Sequence, residues 1–131
     1  MGQLLAHLIG DYVLQSHFLA LNKKKSSNPN SSYYCTIHAL LYCIPFLLFG
    51  YGILSVILIG IAHYFVDHSD DLIPTLIKTK NEMLDIEDKY DYTDETGFPA
   101  DTPAYLSTWL NIIMDNTVHL TINYLIIAVF G

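Results

Sequence analysis

Six side chains able to ligate a divalent metal recur in this sequence at one spacing. His7 and Asp11, His63 and Asp67, and Asp115 and His119 are each four residues apart. Gln3 and Gln15 extend the first series, Asp71 the second, and Asn111 and Asn123 the third. Residues four apart lie on one face of a helix, one turn above another, so each series predicts a polar stripe along an otherwise apolar rod. His38 adds a single imidazole, for which, taken alone, an interhelical hydrogen bond is the simpler role.

Neutral imidazole and carboxylate together form a borderline-hard donor set that suits Zn, Mn or Fe. Seven such groups exceed the needs of one ion, so the pattern predicts one or two divalent ions, a pair being bridged by aspartates from facing helices. The predicted ligands are His7, Asp11, His38, His63, Asp67, Asp115 and His119, with Gln15, Asn111, Asn116 and Asn123 orienting them. Metal-assisted hydrolysis is the chemistry such a set performs, and Asp11, Asp67 and Asp115 are its candidate catalytic carboxylates. No Ser-His-Asp or Cys-His arrangement offers a covalent nucleophile. Cys35 and Cys43, eight apart on one predicted helix, read as small core residues. The competing explanation is a set of interhelical hydrogen bonds that hold a bundle. Metal is favoured because an aspartate at the centre of a membrane helix costs about 2.5–3.5 kcal/mol and no Lys or Arg lies within the apolar stretches to offset it.

The elements that must position these groups are helices. The 131 residues suffice for one domain, 52% of them are hydrophobic and only 15% charged, so the apolar surface needs a non-aqueous partner. From Ser26 to Val66 there is no Asp, Glu, Lys or Arg, and the run is interrupted only at Gly50-Tyr51-Gly52. That pattern predicts a membrane hairpin, since roughly 20 apolar residues span a hydrocarbon core. The predicted architecture is an all-α integral membrane bundle, a single domain over 1–131. Its four transmembrane helices fall at about 3–21, 32–49, 51–68 and 103–130, and the first, which carries five polar side chains, is also compatible with lying on the surface. A polar, partly helical segment at about 69–102 separates helices three and four, with Leu72, Ile73, Leu76 and Ile77 at amphipathic spacing. Asp101-Thr102-Pro103 supplies a cap and a first-turn proline for helix four.

Eleven of the thirteen acids lie between Asp67 and Asp101, so the net charge of -7 is local to one segment. Asp85 to Glu95 lacks the glycine and ligand order of a calcium loop and reads as a solvated acidic loop. Six lysines and no arginine exclude nucleic acid as a partner. Lys23, Lys24 and Lys25 follow helix one and the other three follow helix three, which places them on the cytoplasmic side and both termini outward. In that topology the imidazoles stack toward the outer face and the carboxylates toward the cytoplasm.

The segment His7-Leu8-Ile9-Gly10-Asp11-Tyr12-Val13-Leu14-Gln15, with Asn22-Lys23-Lys24-Lys25 after it, resembles the opening of an uncharacterised family of small bacterial and phage-borne membrane proteins. His63-Tyr64-Phe65-Val66-Asp67 and Asp115-Asn116-Thr117-Val118-His119 are similar to that family's later signatures, and the stretch from about Thr79 to Thr102 matches least. The resemblance implies a membrane fold, in the bacterial inner (plasma) membrane, and no established activity. In style the chain is also similar to membrane-bound metal-dependent hydrolases. Three classes of function stay open: a hydrolase acting on a lipid or lipid-linked phosphoester, a metal or proton transport or sensing module, and a non-enzymatic partner protein with a structural metal site. The partners expected are the lipid bilayer, a lipid-linked substrate, and a second copy or another protein met through the acidic segment.

Overall fold

The computed structural model describes residues 1–85 and 90–131. Its elements are helices: α1 (Gly2–Leu8) running into a π-helical turn (Ile9–Val13), α2 (His17–Asn22), α3 (Ser31–Leu48), α4 (Ile53–His68), α5 (Leu72–Leu84) and α6 (Ala104–Phe130). Among the described residues there is no strand, and one isolated bridge pairs Tyr92 with Pro99. The chain divides into two compact units, Met1–Ser69 together with His119–Gly131, and Asp70–Val118.

In the first unit α3 and α4 form the expected hairpin around Gly50, whose φ of 81° only glycine adopts without strain. The two helices approach closely because Gly60 lacks a side chain: a Cβ there would meet Cys43 Sγ at 2.6 Å. Ala6, Tyr42, Phe46, Val56 and Ile59 make the apolar core. The interior also holds many polar side chains, with His7, His38, His63, Asp67, His119 and Asn123 all buried, while Leu40, Leu48, Ile53, Ile57, Ile61 and Phe65 are exposed. A unit that hides its imidazoles and shows its leucines is built for an apolar surround.

The first predicted helix is not one rod. α1 widens into the π turn at Ile9–Val13, and the chain breaks before Ser16, whose side chain accepts the Leu19 N–H and starts α2. Gly10 lets the π turn press on Tyr42, whose Cδ2 lies 2.5 Å from where a Cβ would sit. The expected all-helical architecture holds, with a count of spans that is coarser than four. Among the described residues two helices are long and apolar enough to cross a membrane, Ser31–Leu48 and Ala104–Phe130, or three if Ile53–His68 and Leu72–Leu84 make one broken span. Alone, the 16 residues of α4 reach only about 24 Å, short of a hydrocarbon core of about 30 Å.

The second unit realises the amphipathic segment as α5, with Ile73 and Ile77 buried. A tight turn over Thr93–Phe98 closes through Thr93 N–H to the Phe98 carbonyl at 3.1 Å and Gly97 N–H to the Thr93 carbonyl at 3.0 Å. Gly97 has a φ of 75°, and a Cβ there would meet the Pro74 carbonyl and Ile77 Cβ, so glycine is required twice over. Asn81 donates to the Gly97 carbonyl at 3.0 Å and Asn111 to the Thr96 carbonyl at 3.2 Å. The acidic loop read over Asp85 to Glu95 lies partly outside the described residues.

Candidate metal centre

Three elements of the first unit converge on one point. The π turn supplies Asp11, α3 supplies His38, and α4 supplies His63 and Asp67 one turn apart. His38 Nε2 lies 3.2 Å from Asp11 Oδ1 and 3.0 Å from Asp67 Oδ2, and His63 Nε2 lies 3.3 and 3.1 Å from the same two oxygens. The two Nε2 atoms are themselves 3.0 Å apart. Four donor atoms thus face one another around a common centre, within the reach of a single ion.

Hydrogen bonds alone satisfy this arrangement poorly. A neutral imidazole carries one N–H, which points at one acceptor, whereas each Nε2 here contacts two carboxylate oxygens and another imidazole nitrogen. Asp11 Oδ1 is buried and makes no hydrogen bond. A cation at the centre would satisfy every edge. Four tetrahedral donors at about 2.0–2.1 Å from zinc are separated by about 3.3–3.4 Å from one another, and the observed edges fall at or slightly below that.

Outer partners fix the rings. His63 Nδ1 lies 3.1 Å from His119 Nδ1, and His119 Nε2 lies 3.3 Å from Asp67 Oδ1. One tautomer set satisfies both contacts: His63 donates from Nδ1 to His119, which donates from Nε2 to Asp67. His63 Nε2 is then left as a lone pair facing the centre. The Tyr42 ring stacks on His63 with centroids 3.5 Å apart and an angle of 8°. Its hydroxyl receives a bond from Asn123 Nδ2 at 2.7 Å and meets His7 Nδ1 at 2.9 Å. His38 Nδ1 is buried without a hydrogen-bond partner.

Of the predicted ligands, Asp11, His38, His63 and Asp67 come together. His119 contacts Asp67 and His63 from behind. His7 faces the other oxygen of Asp11, Oδ2, at 3.3 Å as well as Tyr42. Asp115, half-buried on α6, belongs to the Asp70–Val118 unit. Around the centre two imidazole nitrogens and two carboxylate oxygens alternate at 3.0–3.3 Å. Of the predicted orienting residues, Asn123 holds Tyr42. Asn111 instead holds the Thr96 turn, and Asn116 bonds back to the Ile112 carbonyl of its own helix.

Two participants escaped the sequence reading. Tyr42 is one helical turn after His38 and continues its face, a signal that was available. Lys23 is the other: its ammonium donates to Asp67 Oδ2 at 2.6 Å and to Gln15 Oε1 at 2.7 Å. No Lys or Arg lies within the apolar stretches, yet a lysine outside them reaches a carboxylate. Lys23 lies outside the apolar stretches but is brought back by its loop. Lys25 N–H bonds the His68 carbonyl, Lys24 Nζ the Ser69 carbonyl, and His68 Nδ1 the Lys23 carbonyl, at 2.9–3.0 Å. These bonds also cap the carbonyl end of α4. His68 is half-buried at the end of α4, and His17 is exposed.

The chain belongs to the family DUF3307, a protein family of unknown function, whose profile matches residues 1–130. No curated protein and no solved structure matches it.

Proposed function

We propose that the chain is a membrane-embedded divalent-metal protein that hydrolyses a lipid or lipid-linked phosphoester. The observation that carries the metal reading is the convergence of His38 Nε2 and His63 Nε2 on the same pair of oxygens, Asp11 Oδ1 and Asp67 Oδ2, at 3.0–3.3 Å. Two imidazoles and two carboxylates suit Zn, Mn or Fe, and an ion that takes five or six ligands would keep positions for water and substrate. A bound ion would lower the pKa of water and polarise a phosphoryl oxygen.

The chain's own groups then have definite tasks. Asp67 uses Oδ2 toward the centre while His119 holds its Oδ1, which fixes the carboxylate plane. Asp11 turns Oδ1 inward and keeps Oδ2 on His7, so it can accept a proton from an attacking water and share it with an imidazole that Tyr42 and Asn123 hold in place. The exposed leucines and isoleucines around the unit support a substrate that arrives through lipid.

A second reading, a non-enzymatic bundle held by buried polar contacts, draws support from the Lys23–Asp67 ion pair. Elemental analysis of detergent-purified wild type and Asp11→Asn separates the cases. The proposal expects bound divalent metal in wild type and little in the variant, followed by metal-dependent release of phosphate or headgroup from lipid extracts. Folded wild type without metal supports the second reading and contradicts the first. Bound metal with unchanged lipids contradicts hydrolysis and leaves a structural or transport role for the ion.

A further inference from the structure

We propose that Lys23 and a divalent ion compete for Asp67 Oδ2, so that this lysine sets how tightly the centre holds metal. The inference rests on the metal reading above. Its basis is that one atom has two suitors: Oδ2 is 3.0 and 3.1 Å from the two Nε2 atoms that define the centre, and 2.6 Å from the Lys23 ammonium. An ion held by that oxygen would bring its charge against a fixed positive charge in a surround that screens poorly. Asp67 is 3% exposed, so water does little to soften the conflict.

The lysine is built to leave. Its side chain is 13% exposed, against 4% for that of Asp67, and it stands at the polar end of α4, so a rotation of its stem carries the ammonium into water. Its second partner, Gln15 Oε1, is neutral and lies in the non-helical break between the π turn and α2. The backbone of the loop stays anchored meanwhile, because His68 bonds the Lys23 carbonyl and Lys25 N–H bonds the His68 carbonyl. Only the side chain must move. Exchange of one cation for another on Asp67 therefore needs no rearrangement of helices, and the charge on the carboxylate is covered in both arrangements.

The opposite role is equally definite: a lysine that supports the bound state, donating to an oxygen lone pair that the ion leaves unused. The two roles give opposite signs. The test measures Zn(II) and Mn(II) affinity of the full-length chain in detergent, by competition with a chelator, for wild type, Lys23→Gln, Lys23→Met and Lys23→Arg. Competition predicts that both neutral variants bind about tenfold tighter or more, while the arginine variant does not gain. It further predicts that Lys23→Gln lowers the melting temperature in chelator and recovers it with metal. The glutamine variant retains a hydrogen bond to Asp67 and serves if the methionine variant fails to fold. Equal or weaker affinity of the neutral variants, with wild type binding metal, overturns the inference and leaves the metal reading standing. If neither wild type nor the folded neutral variants bind either ion, both fall.

Discussion

The two compact units differ in what they do with their polar side chains. Met1–Ser69 with His119–Gly131 encloses four imidazoles, an aspartate and an asparagine beneath exposed leucine, isoleucine and phenylalanine. Asp70–Val118 has a small apolar interior instead. It buries Ile73, Ile77 and Phe98, and its ion pair, Lys78 with Asp94 at 2.6 Å, stands in water with Asp94 93% exposed. In the first unit buried polar groups from separate helices meet one another, as His38 meets His63 and Asp67 and Asn123 meets Tyr42, so long-range convergence decides how the unit is held. In the second, shape decides it: a glycine turn fits against α5.

The largest way to break this contrast is Asp67→Asn. The amide removes the charge that Lys23 and the centre share, and the variant is expected to lose bound metal and about 3 kcal/mol of stability, the low end for breaking a buried pair because Lys23 can turn to water. Metal content and thermal unfolding in detergent check both. Retention of metal at wild-type level would count against the site.

Gly97→Ala strikes the other unit. A side chain at φ 75° that also meets Pro74 and Ile77 is expected to cost about 2 kcal/mol. Amide exchange should accelerate in α5 while metal content stays at the wild-type level. A variant that lost metal would show that the units do not differ in the way described.

The smallest effect is expected from Lys78→Ala. The Lys78 ammonium beside Asp94 holds its carboxyl below the usual aspartate range. Whatever this pair contributes is present above the ordinary aspartate pKa and lost as pH falls through the depressed value. Because both groups are solvated, the melting temperature above neutral pH should not change measurably. A clear drop would show that the surface pair is a structural clamp.

The contrast also explains what the sequence could disclose. The four-residue spacing of His63 and Asp67 was legible because a helix fixes it locally, and so was the hairpin, from the uncharged run and Gly50. The arrangement of His38 against His63 was not, since it depends on how closely α3 meets α4, which Gly60 and Cys43 determine. The break after Val13 was hidden because polar spacing continued through it: Asp11 and Gln15 are four apart whether or not the helix persists. Lys23 read as a topological marker, since three lysines in a row are usually that. Its reach back to Asp67 follows from hydrogen bonds to the end of α4 that no local pattern announces. Asn111 kept the period of its stripe yet serves the Thr96 turn, because periodicity assigns a face and not a partner.

The central claim is that Asp11, His38, His63 and Asp67 hold one divalent ion. X-ray absorption spectroscopy of the zinc-loaded, detergent-purified chain tests it most directly. The account predicts a first shell of nitrogen and oxygen only, at about 2.0–2.2 Å, with outer scattering from two imidazoles that falls to one in His38→Ala. A shell containing sulfur, or one without imidazole, would contradict it.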